Sequence, residues 1–191
     1  MTRLKGSETE KNILKAFAGE SQARNRYSYF AKVAQKEGYV QIAGIFEETA
    51  EQERTHAKRL FKLLEGGELE VTAAFPAGVI GSTVENLRAA AAGEHYENTS
   101  MYPEFAEIAK QEGFNDVAAI FKAIAVAEKQ HERRYLALAA NIEADRVFKE
   151  DTEKSWICKK CGYVHKGNKA PDVCPACAHP QAYYERLCEN W

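Results

Sequence analysis

The chain has 191 residues, 45% hydrophobic and 28% charged, an ordinary globular balance long enough for one large domain or two smaller ones. A net charge of −2 leaves no basic footprint for nucleic acid. No apolar run approaches the roughly 18 residues a membrane helix needs, and Met1 to Asn12 lacks an apolar signal core, so the expected setting is the cytoplasm, away from any membrane.

Glycine and proline punctuate the first 145 residues sparsely, at Gly38, Gly66–Gly67, Pro76 to Gly81 and Gly113. Between these breaks the apolar periodicity predicts four helices, at about 8–37, 40–65, 83–112 and 115–145. The second helix carries Ile42, Ile45, Phe46, Thr49, Glu53, His56, Leu60 and Leu63 at steps of three and four. The last carries Val117, Ile120, Phe121, Ile124, Glu128, His131, Tyr135 and Leu138 on the same spacing. These stripes mark buried faces, yet each contains a Glu and a His, whose burial is costly unless something compensates. The connection between helices two and three, about 66–82, is long enough to let helix three start again at the far end, as in bundles with one crossover.

The bundle is internally repeated. AKVAQKEGYVQIAGIF (31–46) matches AEIAKQEGFNDVAAIF (106–121) at an offset of 75, and Glu53, His56 and Tyr27 map onto Glu128, His131 and Tyr102 at the same offset. Glu20 maps onto Glu94 at an offset of 74, so helix three holds one extra residue between Glu94 and Tyr102. A regular helix would rotate the later stripe, Phe105 and Ile108, by about 100° away from the core. A wider π turn within about 94–103 is therefore expected, just ahead of Pro103, which lacks a helix donor.

Past residue 145 the pattern changes. A charged linker is expected at 147–155, dividing a helical domain, 1–146, from a small tail, 156–191. The tail holds Cys158, Cys161, Cys174 and Cys177 as two C-x-x-C pairs, and Cys188 stands outside them. Paired C-x-x-C without a signal peptide reads as metal rather than disulfide. So small a piece needs a metal to hold it together. The spacing suits a tetrahedral four-sulfur site that zinc or iron would fit; beside a redox-capable pair of metals, a one-electron iron centre has a use. His165 and His179 are surplus to such a site.

A lone E-x-x-H on a helix can be a surface salt bridge. Here two occur, Glu53/His56 and Glu128/His131, each pair on one helix face inside an apolar stripe. With Glu20 and Glu94 they make the di-iron or di-manganese carboxylate pattern, one Glu from each of two helices and E-x-x-H from the other two. The pseudo-symmetry suits two metals bridged by Glu53 and Glu128. Glu97, three residues after Glu94, reads either as a solvated charge or as a seventh ligand without a counterpart in the first half, where Gln22 and Ala23 stand. Tyr27 and Tyr102 read as core aromatics or as hydroxyl donors to the ligand carboxylates. His95 points about 100° away from Glu94 and reads as a non-ligand.

Together AGESQARNRY (18–27), the E-x-x-H pairs, AAGEHYE (91–97) and the tail CGYVH…CPAC resemble the rubrerythrins over nearly the whole chain. The gap between Cys161 and Cys174 is shorter than in free-standing rubredoxins and resembles the compact rubrerythrin form. The resemblance implies a mainly α fold: a ferritin-like four-helix bundle with a long crossover, and a small irregular or β rubredoxin-like domain. It implies two irons held by Glu20, Glu53, His56, Glu94, Glu97, Glu128 and His131, and a third held by Cys158, Cys161, Cys174 and Cys177. The implied function is a peroxidase reducing hydrogen peroxide to water, its tail relaying electrons that come ultimately from NAD(P)H through an external reductase or rubredoxin. His56 and Glu97 would exchange on one iron with redox state, Tyr27 and Tyr102 would assist, and the chain would pair head to tail as a homodimer. Iron storage or oxidation by a ferritin-like protein, oxygen reduction, and a zinc-bearing structural protein are the rival readings.

Overall fold

A computed structural model describes residues 3–190. Helix α1 spans Glu8–Lys36, α2 Val40–Phe61, α3 Thr83–Tyr96, α4 Tyr102–Gln111 and α5 Asn115–Glu143. Ser7 caps α1 by accepting from the Glu10 N–H, and Ser82 and Glu85 form a reciprocal capping box on α3. The repeat is visible in the turns. Gly38 (φ +87°) ends α1 and Gly113 (φ +86°) ends α4 in left-handed backbone. Tyr39 N–H then donates to Ala34 C=O at 2.8 Å, and Phe114 N–H to Ala109 C=O at 2.7 Å. Both copies of the hairpin therefore turn the same way.

Helix three is not one regular helix. Glu97–Met101 forms a π turn between α3 and α4, with Tyr102 N–H donating to Glu97 C=O. The extra residue is absorbed there, within the window that the offset of 74 against 75 delimits. Phe105, Ala106 and Ala109 consequently stay on the buried face. The second helix closes at Phe61 rather than near 65; the stretch that follows reaches Ser82 without regular structure. This crossover is largely exposed, and Gln22 Nε2 donates to Pro76 C=O at 2.9 Å to hold it on α1.

Two apolar clusters fill the bundle. One contains Tyr27, Phe30, Phe46, Leu87 and Tyr135; the other contains Ile13, Leu60, Tyr102, Phe105 and Phe121. On every long helix the metal-ligand candidate lies between a residue of one cluster and a residue of the other. Glu20 falls between Ala16 and Ala23, Glu53 between Ala50 and Leu60, Glu94 between Ala91 and Tyr102, and Glu128 between Ile124 and Tyr135. The charged layer is thus closed above and below by hydrocarbon.

The tail is a three-stranded antiparallel sheet in the order β2-β1-β3, with β1 at Lys149–Cys158, β2 at Val164–Lys169 and β3 at Tyr184–Arg186. The expected linker at 147–155 is corrected here. Lys149 pairs with Lys169 and Lys154 with Gly167, so most of that stretch is strand. Its charges gave it the composition of a linker because residues 151–154 lie exposed on both faces, and only Trp156 and Cys158 reach the small core with Cys174 and Tyr184. The tail rests at the α1–α2 turn of its own bundle, where Tyr39 stacks on Phe148 with ring centroids 6.3 Å apart. None of the described helices is long and apolar enough to cross a membrane.

Candidate metal centres

The helix periodicity brings six side chains from four helices to one point. The ligand atoms of Glu20, Glu53, His56 and Glu128 lie within 4.8 Å of one another, as do those of Glu53, Glu94, Glu128 and His131. Glu53 and Glu128 belong to both groups, the placement expected of bridging carboxylates. His56 Nδ1 lies 3.0 Å from Glu53 Oε2, 3.0 Å from Glu128 Oε1 and 3.5 Å from Glu20 Oε2. His131 Nδ1 lies 2.8 Å from Glu128 Oε2, 3.1 Å from Glu53 Oε1 and 3.7 Å from Glu94 Oε2. In each ring the Nδ1 atom faces inward.

Burial makes the arrangement costly without cations. Glu20, Glu53, Glu94 and Glu128 are all at most 2% exposed. Among the described residues, Glu53 Oε1, Glu94 Oε2, both Glu128 oxygens and His131 Nδ1 are buried without a hydrogen-bond partner. Isolated buried carboxylates cost several kcal/mol each unless paired or metal-bound. Oxygen and imidazole donors aimed at two adjacent points fit two divalent ions of the iron or manganese kind. The protonation of the metal-free cluster reflects the same crowding. Burial, with Glu128 and Glu53 nearby, holds Glu20 well above the usual carboxylate range. Burial likewise lifts Glu94 to about 8. Burial opposes charge on His131, but Glu128, Glu53 and Glu94 raise it to about 12.

Two tyrosines brace the layer. Tyr27 Oη donates to Glu94 Oε1 at 2.5 Å, and Tyr102 Oη donates to Glu20 Oε1. Both rings are fully buried, and burial keeps both hydroxyls protonated as donors. Of the two readings of these residues, core aromatic or carboxylate donor, both hold at once. His95 faces outward and meets Glu132 Oε1 at 2.8 Å.

Glu97 is the candidate that does not converge. It stands in neither four-membered group, and its Oε1 lies 4.0 Å from where a Cβ on Gly19 would sit. It borders a cavity of about 280 Å³ between α1 and the crossover, lined also by Lys15, Gln22, Arg26 and Phe75. His56 belongs to the first group, while Glu97 stands beside it, where burial, with Glu20 and Glu94 nearby, holds its carboxyl well above the usual range.

One contact had no periodic signal in the sequence. His131 Nε2 donates to Gln52 Oε1 at 2.9 Å. Arg134 braces Gln52 from outside, with Nη2 2.6 Å from Thr49 Oγ1 and 3.5 Å from Gln52 Oε1, and Nη1 2.9 Å from Glu48 Oε1.

In the tail, Cys158 and Cys177 Sγ atoms are 3.8 Å apart and those of Cys161 and Cys174 3.7 Å. A regular tetrahedron with metal–sulfur bonds of about 2.3 Å has edges of about 3.8 Å, so one zinc or iron fits. Gly162 N–H donates to Cys158 C=O and Ala178 N–H to Cys174 C=O, both at 2.8 Å. Each knuckle closes through a left-handed residue, Gly162 at φ +79° and Ala178 at φ +57°. Cys188 is exposed and His165 and His179 lie outside the four-sulfur group.

Family comparisons agree with both centres. The Rubrerythrin family model matches residues 11–139, and the model described as Rubrerythrin, rubredoxin-like domain, matches residues 156–185. Rubrerythrin of Porphyromonas gingivalis is 63% identical over 188 residues, covering 98% of this chain and 94% of that protein. Rubrerythrin of Nitratidesulfovibrio vulgaris is 62% identical over 191 residues, covering both chains fully. The structure of nigerythrin in its fully reduced, all-ferrous state superposes with a TM-score of 0.64 at 37% identity, covering 95% of this chain and 87% of that one. A bacterioferritin from Desulfovibrio desulfuricans, at 20% identity and a TM-score of 0.63, shares the fold. The two centres are thus a di-iron site in a ferritin-like bundle and a four-cysteine rubredoxin-like site, consistent with iron at both. Matched in both of its parts by the family's models and along its whole length by its relatives, the chain belongs to the rubrerythrin family.

Proposed function

We propose that this chain is a cytoplasmic non-haem peroxidase that reduces hydrogen peroxide to two waters, with the four-cysteine iron feeding electrons to the bundle. The observation that carries the reading is one chain holding two buried metal positions that share Glu53 and Glu128, joined to a one-electron sulfur site. Two ferrous ions bound there would supply both electrons needed to break the O–O bond, so that two protons complete two waters and no hydroxyl radical leaves.

The residues have separable tasks. Glu53 and Glu128 hold the two positions at a fixed spacing. Tyr27 and Tyr102 keep Glu94 and Glu20 aimed inward. The apolar clusters on either side exclude bulk water from the charged layer. The cavity beside Gly19 gives a small peroxide a way to the Glu97 side. Glu97 and His56 serve the same metal position, the one shared with Glu20. The anionic oxygen suits the ferric ion and the neutral imidazole the ferrous one.

Electron delivery favours a dimer. Tyr39, where the tail touches its own bundle, precedes Glu53 by 14 residues of helix, which is about 20 Å along the axis. Tunnelling falls steeply over such a distance. A head-to-tail homodimer lays each tail over the partner's di-iron site, and closed two-fold pairs are the commonest assembly. The tail would be refilled by an external NAD(P)H-dependent reductase or a rubredoxin.

The test is stopped-flow oxidation of the fully reduced protein. One equivalent of hydrogen peroxide per bundle should oxidise the di-iron pair far faster than dioxygen does. Oxidation by dioxygen at an equal or higher rate would overturn the peroxidase reading in favour of iron handling or oxygen reduction.

A further inference from the structure

We propose that Gln52 is the positioning residue that locks His131 onto its metal, and that the lack of such a residue at the repeat-related place, Ala127, is what frees His56 to change places with Glu97. This inference rests on the di-metal reading above.

An imidazole can ligate through either nitrogen, and the hydrogen bond at the other nitrogen decides which. His131 presents Nδ1 to three carboxylates, while Nε2 meets Gln52 Oε1 at 2.9 Å. The amide must turn its oxygen toward the ring. Arg134 Nη2 approaches that same atom at 3.5 Å, and a guanidinium offers only donors. With an acceptor fixed there, the ring carries its hydrogen on Nε2 and leaves Nδ1 free for a metal. Arg134 is itself tied to Glu48 and Thr49, one helical turn before Gln52 and Glu53. The strut is thus built entirely from α2 and one arginine of α5.

The other half of the repeat keeps the arginine and loses everything it holds. Arg59 stands 75 residues before Arg134, but the positions 75 after Glu48, Thr49 and Gln52 are Ala123, Ile124 and Ala127. None of these side chains can accept a hydrogen bond. Among the described residues His56 Nε2 has no hydrogen-bond partner, and the His56 side chain is 18% exposed against 4% for His131. The two rings therefore see matching carboxylates on the inside and opposite restraints on the outside. The unrestrained ring is on the side of Glu20, where Glu97 waits next to Gly19. A ligand that must leave when the metal is oxidised cannot also be pinned from behind, and the duplication has kept the pin on one side only.

The experiment is proton NMR of the anaerobic diferrous holoprotein and of its cobalt(II) form, following the hyperfine-shifted imidazole N–H signals after transfer to heavy water. The wild-type chain should show one slowly exchanging N–H, from His131, and one fast one, from His56. Gln52→Leu should make both fast and weaken one of the two metal positions against a chelator by about 10–100-fold. Gln52→Glu, which retains an acceptor, should restore the slow signal. Ala127→Gln should slow the His56 signal, and crystals of its peroxide-oxidised form should keep His56 turned in. If Gln52→Leu leaves one slow N–H and both affinities unchanged, or if Ala127→Gln still exchanges His56 for Glu97, the positioning role is overturned. If the wild-type protein binds fewer than two ions in the bundle, or shows no imidazole N–H pair, the di-metal reading fails and this inference falls with it.

Discussion

Loading the metal-free bundle with two divalent ions should release at least about three protons at pH 7. The number follows from the cluster. Burial lifts Glu94 to about 8, so it is protonated at neutrality, and burial, with Glu128 and Glu53 nearby, moves Glu20 in the same direction. Burial disfavours charge on the two imidazoles, but the carboxylates against them, Glu128 first, raise His56 strongly and His131 to about 12. The protons of Glu94 and the two imidazoles therefore occupy groups that must be bare to ligate. A surface cluster with ordinary carboxylate and histidine values would release almost none. For two ions displacing about three protons, one unit of pH changes the product of the two binding constants by about 10³. Calorimetric titration with zinc in two buffers of different ionisation enthalpy counts the protons directly. Release of fewer than about two per pair of ions would refute the cluster electrostatics. Stability of the metal-free protein supplies an independent check. The folded chain keeps the Glu94 proton up to about 8 whereas an unfolded glutamate loses it at about 4.5, so stability should fall as pH rises between those values. His131 acts in the same sense from 6.5 toward about 12. Glu53, pulled to about 2 by the histidines despite its burial, acts oppositely, and stability should fall as pH drops from 4.5 toward 2. Denaturant midpoints across pH should therefore peak on the mildly acid side of neutrality.

Further outcomes follow from single elements. Glu97→Ala should retain both bundle irons, since Glu97 stands in neither four-membered group, yet slow turnover; oxidised and reduced crystals with identical ligands would sink the exchange it is assigned. In a mixed dimer, a chain with Cys158→Ser and Cys174→Ser combined with one carrying Glu53→Ala and Glu128→Ala should regain peroxidase activity that neither homodimer has, and no regain would place transfer within one chain. Ala178→Gly should stabilise the loaded tail by about 1 kcal/mol by removing a left-handed alanine at φ +57°; slower iron loss to a chelator is the readout. Tyr102→Phe should leave Glu20 without its buried donor and cost about 1–3 kcal/mol in denaturant unfolding of the metal-free bundle.

The bundle and most of its site were legible because duplication writes the same signal twice. Glu53/His56 and Glu128/His131 each interrupt an apolar stripe, and one interruption repeated at the same offset is hard to explain by surface charge. The π turn at Glu97–Met101 was legible for the opposite reason, since a residue count that fails to match by one must be accommodated somewhere in the helix. Two features left no such trace. Residues 149–155 have the composition of a solvated linker, and only their register against β2 makes most of them strand. Gln52 is an ordinary polar residue on a half-buried face, with no period to mark it, and its meaning depends on a ring contributed by α5.

The copies disagree at two places that flank the charged layer. Helix three has the extra residue that creates the π turn beginning at Glu97, and α2 has the Glu48, Thr49 and Gln52 strut that α5 replaces with Ala123, Ile124 and Ala127. A perfectly duplicated bundle would hold two equivalent ions with equivalent ligands and nothing to distinguish them. Each departure acts on a different position: the π turn offers a spare carboxylate beside Glu20, and the strut removes freedom from the histidine opposite. Symmetry builds the cage, and the two asymmetries divide it into a position whose ligand can move and a position whose ligand cannot. In a duplicated sequence the positions where the copies fail to match therefore carry the chemistry that the matched positions cannot specify.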